Sequence, residues 1–205
     1  KYSIMKNLFI RRIVVIDTPW EFPFHINRLA FRRVKILLGY FQDIKLIDGL
    51  SEANKKFLGF LLGLHEEPLN INSIGIHLRR GDYRSIPAYG ILSEKYYMRV
   101  LDKISSNDSQ IIVASSDENI LDKIEMKTNS VFLDPKILSP LETMRKLACS
   151  EQFIMANSTF SFWIGWAVLQ RSGIVYAPDP WFKDTIVPKN YLSLGDFRKM
   201  ESEFE

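Results

Sequence analysis

The sequence is poor in the groups that most often announce a chemistry. It has one cysteine, Cys149, which excludes an internal disulfide framework and fits a reducing compartment. Cys149 sits in an apolar helical stretch and reads as a buried, inert thiol. The three histidines, His25, His65 and His77, have no ligand spacing, and no Asp-x-Asp occurs anywhere, so the usual sequence signs of a bound metal are missing. The longest apolar run, residues 160–169, falls short of a membrane span and includes two tryptophans. No signal-peptide pattern opens the chain, and there are no internal repeats or low-complexity tracts. Charge of either sign is nearly balanced, with Lys+Arg 27 against Asp+Glu 24. A net charge of +3 is too small to argue for nucleic acid or for an anionic membrane surface. The chain opens on Lys1 instead of methionine, which raises the expectation of a partial sequence.

What the chain does have is material for a core, 46% hydrophobic and 13% aromatic residues, which excludes disorder. From residue 71 onward, strand and helix signals alternate with short connections, the pattern of a Rossmann-type α/β fold with a parallel sheet covered by helices on both faces. Strands are predicted at about 73–78, 110–114, 131–133, 152–156 and 174–176. Helices are predicted at about 93–105, with Ser93 as its cap, at a stretch capped by Ser116 with Ile120, Leu121 and Ile124 inward, and at 160–170. Ser139-Pro140-Leu141-Glu142 combines a serine cap, proline at the first helical position and a glutamate that completes a capping box. Residues 1–70 are broken early by Pro19 and Pro23, look helical over 31–38 and 57–64, and read as a partial N-terminal subdomain ahead of a nucleotide-binding domain at 71–205.

The richest stretch is Ile74-Gly75-Ile76-His77-Leu78-Arg79-Arg80-Gly81-Asp82-Tyr83. Two arginines at the end of a buried strand are costly unless they hold an anion through the guanidinium fork. Strand parity puts His77 and Arg79 on one face, toward a ligand, and Leu78 and Arg80 on the other, with Arg80 pinned by a carboxylate such as Asp82. A second feature, Asn157-Ser158-Thr159-Phe160-Ser161, is a hydroxyl-rich strand-to-helix turn whose helix start favours anions. Both lie beyond the carboxyl ends of strands, where an α/β sheet binds its ligand. Together they suggest a diphosphate held without a metal. Trp163 and Trp166 read as core, Trp181 as a cleft-lining residue, and Arg80-Gly81-Asp82 as no integrin-type tripeptide, since it follows a buried strand.

These motifs, with Ala177-Pro178-Asp179-Pro180-Trp181-Phe182 and the upstream Gly39-Tyr40-Phe41-Gln42-Asp43, resemble the bacterial α-1,2-fucosyltransferases, glycosyltransferase family 11-like, over about residues 36–182. The resemblance implies a GT-B-like, inverting, metal-independent transferase that moves fucose from GDP-fucose to a galactosyl hydroxyl of an oligosaccharide or lipid-linked glycan. It implies Arg79 on the β-phosphate, His77 on the nucleoside, Arg80 in support, and Ser158 and Thr159 with Asn157 completing the phosphate site. Glu142 is the nearest match to an acidic residue that reads guanine, although the capping box alone also accounts for it. Asp82 is a candidate general base or an orienting carboxylate. No cofactor and no nucleic-acid partner are implied, and the expected place is the cytoplasm, with peripheral contact at the inner face of the membrane. Two alternatives stay open. One is an α-1,6-type transferase, which shares the arginine motif. The other is a GDP-sugar-binding fragment without activity, favoured because the family's opening Gly-x-Gly-Asn-Gln has no match here.

Overall fold

The computed structural model describes residues 13–17, 34–38, 44–63, 68–117, 129–184 and 195–205. Pro19, Pro23, His25, His65, the 39–43 segment and the expected helix around Ile120, Leu121 and Ile124 lie outside the described residues.

Strands β1 (Ile13–Asp17) and β2 (Val34–Leu38) pair in parallel as a two-stranded sheet. This corrects the helical reading of 31–38. The run Val-Lys-Ile-Leu-Leu is too short for periodicity to separate helix from strand, and its β-branched residues favour the strand. Two helices follow, α1 (Ile44–Asp48) and α2 (Glu52–Leu61). The Ser51 side chain caps α2 by accepting from the Asn54 amide at 3.3 Å. Ile47 and Leu62 are buried in the same apolar cluster as the later helices.

The main sheet contains β3 (Asn70–Leu78), β4 (Gln110–Ser115), β5 (Ser130–Leu133), β6 (Ser150–Ile154), β7 (Ile174–Asp179) and β8 (Arg198–Glu201). All neighbours are parallel, in the order β5-β4-β3-β6-β7-β8. Counted within this sheet the order is 3-2-1-4-5-6, that of a doubly wound Rossmann-type fold, and the chain reverses direction across the sheet between β3 and β6. The architecture is α/β and GT-B-like.

Helices cover both faces. On one, α3 (Glu94–Ile104) buries Tyr96, Tyr97, Val100 and Leu101 against Ile74, Ile76 and Leu78 of β3. On the other, α4 (Pro140–Ala148) and α5 (Thr159–Gln170) pack with Phe153, Val175 and Ala177. Helix α5 buries residues around most of its circumference, from Ser161 to Val168, as an all-round apolar helix must. Trp166 belongs to this cluster and Trp163 packs against it. Trp181 is also buried there, which corrects its expected place in a cleft: the two prolines beside it suggested an exposed loop, but the indole fills core volume.

Two further differences have local causes. Ser93 stands at the N-cap of α3, but its hydroxyl makes no capping bond; the Ser93 amide donates instead to Glu203 O at 2.7 Å. Strand β8, Arg-Lys-Met-Glu, carries charge as an edge strand can, and therefore shows no apolar run in the sequence.

The capping box at α4 is complete. The Glu142 amide donates to Ser139 Oγ at 3.3 Å, and the Ser139 amide donates to Glu142 Oε2 at 2.7 Å. Replacing Ser139→Ala is expected to lower the unfolding free energy by about 1 kcal/mol, seen as an earlier urea midpoint with an unchanged slope.

Candidate functional site

At the reversal between β3 and β6, helices leave the sheet toward opposite faces and open a crevice. The register pairs Ile76 with Ile154, so the segments following the two strands emerge side by side. His77 of β3, Arg79 just past its end, Ser115 and Ser116 at the end of β4, Pro135 beyond β5, Pro140 and Thr143 of α4, and Phe160 of α5 line a cleft of about 190 Å³. Complete small-molecule sites usually measure roughly 300–1,000 Å³. This cleft is smaller than that range. A larger hollow of about 650 Å³ opens at the other end of the strands, beside Asn70, Gln110 and Cys149. It has neither the arginine pair nor a helix start.

The two adjacent arginines have opposite environments, as strand parity requires. The Arg79 side chain is 35% exposed and the Arg80 side chain 6%. Arg79 Nη2 donates to Asp82 Oδ2 at 2.8 Å, and its guanidinium lies 5.4 Å from the centroid of the Tyr83 ring. Its Nε is shielded from solvent and makes no hydrogen bond among the described residues. An unpaired buried donor costs about 1–3 kcal/mol, a cost that an anionic oxygen would relieve.

Arg80 is enclosed by carboxylates that are distant in sequence. It is paired with Glu205 through Nη2, with Asp117 at 3.5 Å and with Glu94 at 3.7 Å, and Asp117 also receives Arg84. This corrects the expected pairing of Arg80 with Asp82. The 3₁₀ turn at Gly81–Ser85 folds Asp82 back onto Arg79.

His77 is buried against α5. Its Nδ1 lies 2.6 Å from Ser161 Oγ, and its ring centroid is 4.9 Å from that of Phe160. Burial first, and the neighbouring positive charge of Arg79 second, hold its pKa down from 6.5 to about 3. The ring is therefore uncharged at neutral pH.

The turn before α5 is tied down tightly. Asn157 is fully buried; its Nδ2 donates to Tyr89 O at 3.0 Å and to Gly90 O at 3.2 Å. Its own carbonyl accepts from the Tyr83 hydroxyl at 2.9 Å. The Ser158 side chain caps α5 by accepting from the Ser161 amide at 3.2 Å. Thr159 is the first helical residue and is half-buried. The positive end of the α5 dipole thus sits at the crevice.

His77 and Arg79 come together in the cleft, with the Asn157–Thr159 turn beside them. Arg80 and Asp82 flank Arg79 as supports. Glu142 stands apart. It is exposed on α4, and the Ser139 side-chain and backbone hydrogen bonds of the capping box hold its carboxyl below the ordinary value. Tyr83, Phe160 and Ser161 lie within the motifs that the sequence singles out but are given no role of their own there. Ser161 could have been read from its place one turn inside the helix that follows the hydroxyl-rich turn. Among the described residues, no group of three or more His, Cys, Asp and Glu is placed to hold a metal ion, and no helix is long and apolar enough to cross a membrane.

Two consequences are measurable. Arg80→Ala leaves three carboxylates around an emptied site, and breaking such a buried pair costs about 3–5 kcal/mol. Because these carboxylates reach water, a loss of about 2 kcal/mol in chemical denaturation is expected, against less than about 1 kcal/mol for Arg79→Ala at its exposed pair. For His77, between pH 6.5 and about 3 the unfolded chain binds a proton that the folded chain refuses. Stability therefore falls as pH drops through that window, by up to about 1.4 kcal/mol per pH unit. Denaturation midpoints across a pH series should show a shallower slope for His77→Gln.

Comparison with known proteins gives the family of the chain. The family model described as Glycosyl transferase family 11 matches residues 35–192. The chain is 28% identical over 179 residues to the O-antigen biosynthesis glycosyltransferase WbnK of Escherichia coli, covering 76% of this chain and 58% of that protein. It is 30% identical over 177 residues to an α-1,2-colitosyltransferase of Escherichia coli, covering 69% of this chain and 61% of that protein. The chain thus spans about three fifths of the length of these curated relatives. With a family match across more than half of its residues, the chain belongs to glycosyl transferase family 11.

Proposed function

We propose that the protein transfers fucose from GDP-fucose, with inversion and without a metal, to a galactosyl hydroxyl of a cell-surface glycan precursor in α-1,2 linkage. The observation that carries this reading is Arg79, a cleft-lining guanidinium with a shielded, unpartnered Nε beside the positive end of α5. That pairing suits the diphosphate of a sugar nucleotide. The small volume of the cleft suits a part of such a donor. The O-antigen role of one relative supports a glycan precursor as acceptor, and the α-1,2 linkage in the name of the other supports the linkage. A cytoplasmic place, with peripheral contact at the inner face of the membrane, and the division into an acceptor-side part up to residue 70 and a donor-binding part from residue 71, belong to the same proposal.

In this reading the acceptor hydroxyl attacks C1 of the sugar from the face opposite GDP and gives up its proton to solvent water as the new C1–O bond forms. The bond between C1 and the β-phosphate oxygen breaks, and negative charge grows on the diphosphate. Arg79 meets that charge from one side and the start of α5 from the other. His77, being uncharged, contributes an orienting contact and not a cation. Asp82, already bonded to Arg79, acts best as the group that orients the guanidinium. Glu142 would have to leave the capping box to read a base.

A second donor, colitose, the 3-deoxy counterpart of fucose, is favoured by the name of the colitosyltransferase relative. Turnover with each GDP-sugar separates the two.

Calorimetric titration of GDP and GDP-fucose in the presence of EDTA tests the donor site. Saturable binding that Arg79→Ala abolishes is expected, and no binding by the folded chain would sink the reading. Transfer is scored separately on a galactose-containing acceptor, where loss of Arg79 should cost about 100-fold or more in turnover. Donor binding without any transfer would identify a GDP-sugar-binding module.

A further inference from the structure

We propose that Ser161 is a positioning residue that fixes His77 as the tautomer protonated on Nε2, so that the ring presents a neutral N–H donor to the nucleotide in the cleft. The recipient rests on the donor-site reading above; the tautomer does not. Ser161 lies in the first turn of α5 and is fully buried. Its Oγ accepts from the Ala156 amide at 3.0 Å and lies 2.6 Å from His77 Nδ1. A hydroxyl has one proton to give and two lone pairs. If the Ser161 hydroxyl donates to a bare Nδ1, the amide, the hydroxyl and the imidazole nitrogen are all satisfied. The ring proton then sits on Nε2.

The opposite arrangement is worse. With a proton on Nδ1, Ser161 Oγ would accept twice and its own proton would need a further acceptor inside a dry site. The usual helical recourse, the carbonyl four residues back, is that of Asn157, which already accepts from the Tyr83 hydroxyl and would then have to serve two hydroxyls at once. A doubly protonated ring is excluded on other grounds, since it would bury a cation beside the Arg79 guanidinium. The remaining question is which nitrogen holds the single proton, and the hydrogen bond at the other nitrogen decides it. The choice matters chemically. A bare Nε2 would repel a phosphate oxygen, whereas Nε2–H attracts it. Phe160, whose ring lies against His77, limits reorientation of the imidazole.

Histidine-selective ¹⁵N labelling of the full chain, read by long-range ¹H–¹⁵N correlation at neutral pH, tests this directly. The chain has three histidines, and the His77 signal is the one lost in His77→Gln. The expected spectrum shows a protonated Nε2 and a bare Nδ1 for His77. A protonated Nδ1, an averaged pair or an imidazolium overturns the proposal, whether or not a Ser161 variant folds. Ser161→Ala should convert the signal to a tautomeric mixture and weaken GDP binding about tenfold, the worth of one ordinary hydrogen bond; Ser161→Thr, which keeps the hydroxyl, should restore both. An unchanged tautomer in Ser161→Ala also overturns the proposal. A wild-type chain with the expected tautomer that binds no GDP upholds the role of Ser161 and rejects the donor-site reading instead.

Discussion

The parallel pairing of β3 with β6 is the constraint on which the rest of the molecule depends. It is the seam where the winding of the sheet reverses, so the helices on either side diverge and leave an opening that neither covers. Its register is equally consequential. Ile76 opposite Ile154 delivers His77 and Arg79 beside the Asn157–Thr159 turn. A slip by one residue would turn the apolar set of β3 toward the wrong layer and bury Arg79 in place of Arg80. Ile74, Ile76 and Leu78, packed under α3, hold the register that the chemistry requires.

Given that frame, the adjacent arginines divide the labour. Arg80 is an anchor: three carboxylates, from the start of α3, from the end of β4 and from residue 205, converge on one guanidinium. Such an arrangement adds little net stability over an apolar one, but it tolerates no alternative partner and so specifies where the loops go. Arg79 is attached only by a half-exposed pair and an aromatic face. Its neighbour supplies the rigidity, and Arg79 is the one of the two that lines the cleft. His77 completes the division as an uncharged group between the cation and the helix.

Much of this was legible in the sequence because it is local. Strand parity alone separates Arg79 from Arg80, and Ser139 with Glu142 spells out a capping box that the structure contains. The all-round apolar character of 160–170 gives its central position. Other features depend on tertiary contact and leave no local mark. The partners of Arg80 lie at 94, 117 and 205, so proximity in sequence nominated Asp82 instead. Trp181 looked like a cleft residue from its prolines, yet the core needed its volume. Residues 34–38 have too few positions for periodicity to decide between helix and strand. Ser161 was part of the hydroxyl-rich motif but had no assignable role: a serine one turn into a helix has many uses, and only the imidazole across from it gives it meaning.

One arrangement bears on how the crevice meets its ligand. Asn157 grips the carbonyls of Tyr89 and Gly90 with its amide, while its own carbonyl takes the Tyr83 hydroxyl. The loop after the arginines is thereby laced at both ends to the residue that introduces α5. The arginine loop and the helix start form a single mechanical unit, whose shape is settled when the chain folds and not when a ligand arrives. A loop fixed in this way leaves little backbone to be ordered by a bound group, and so little entropy to be lost there.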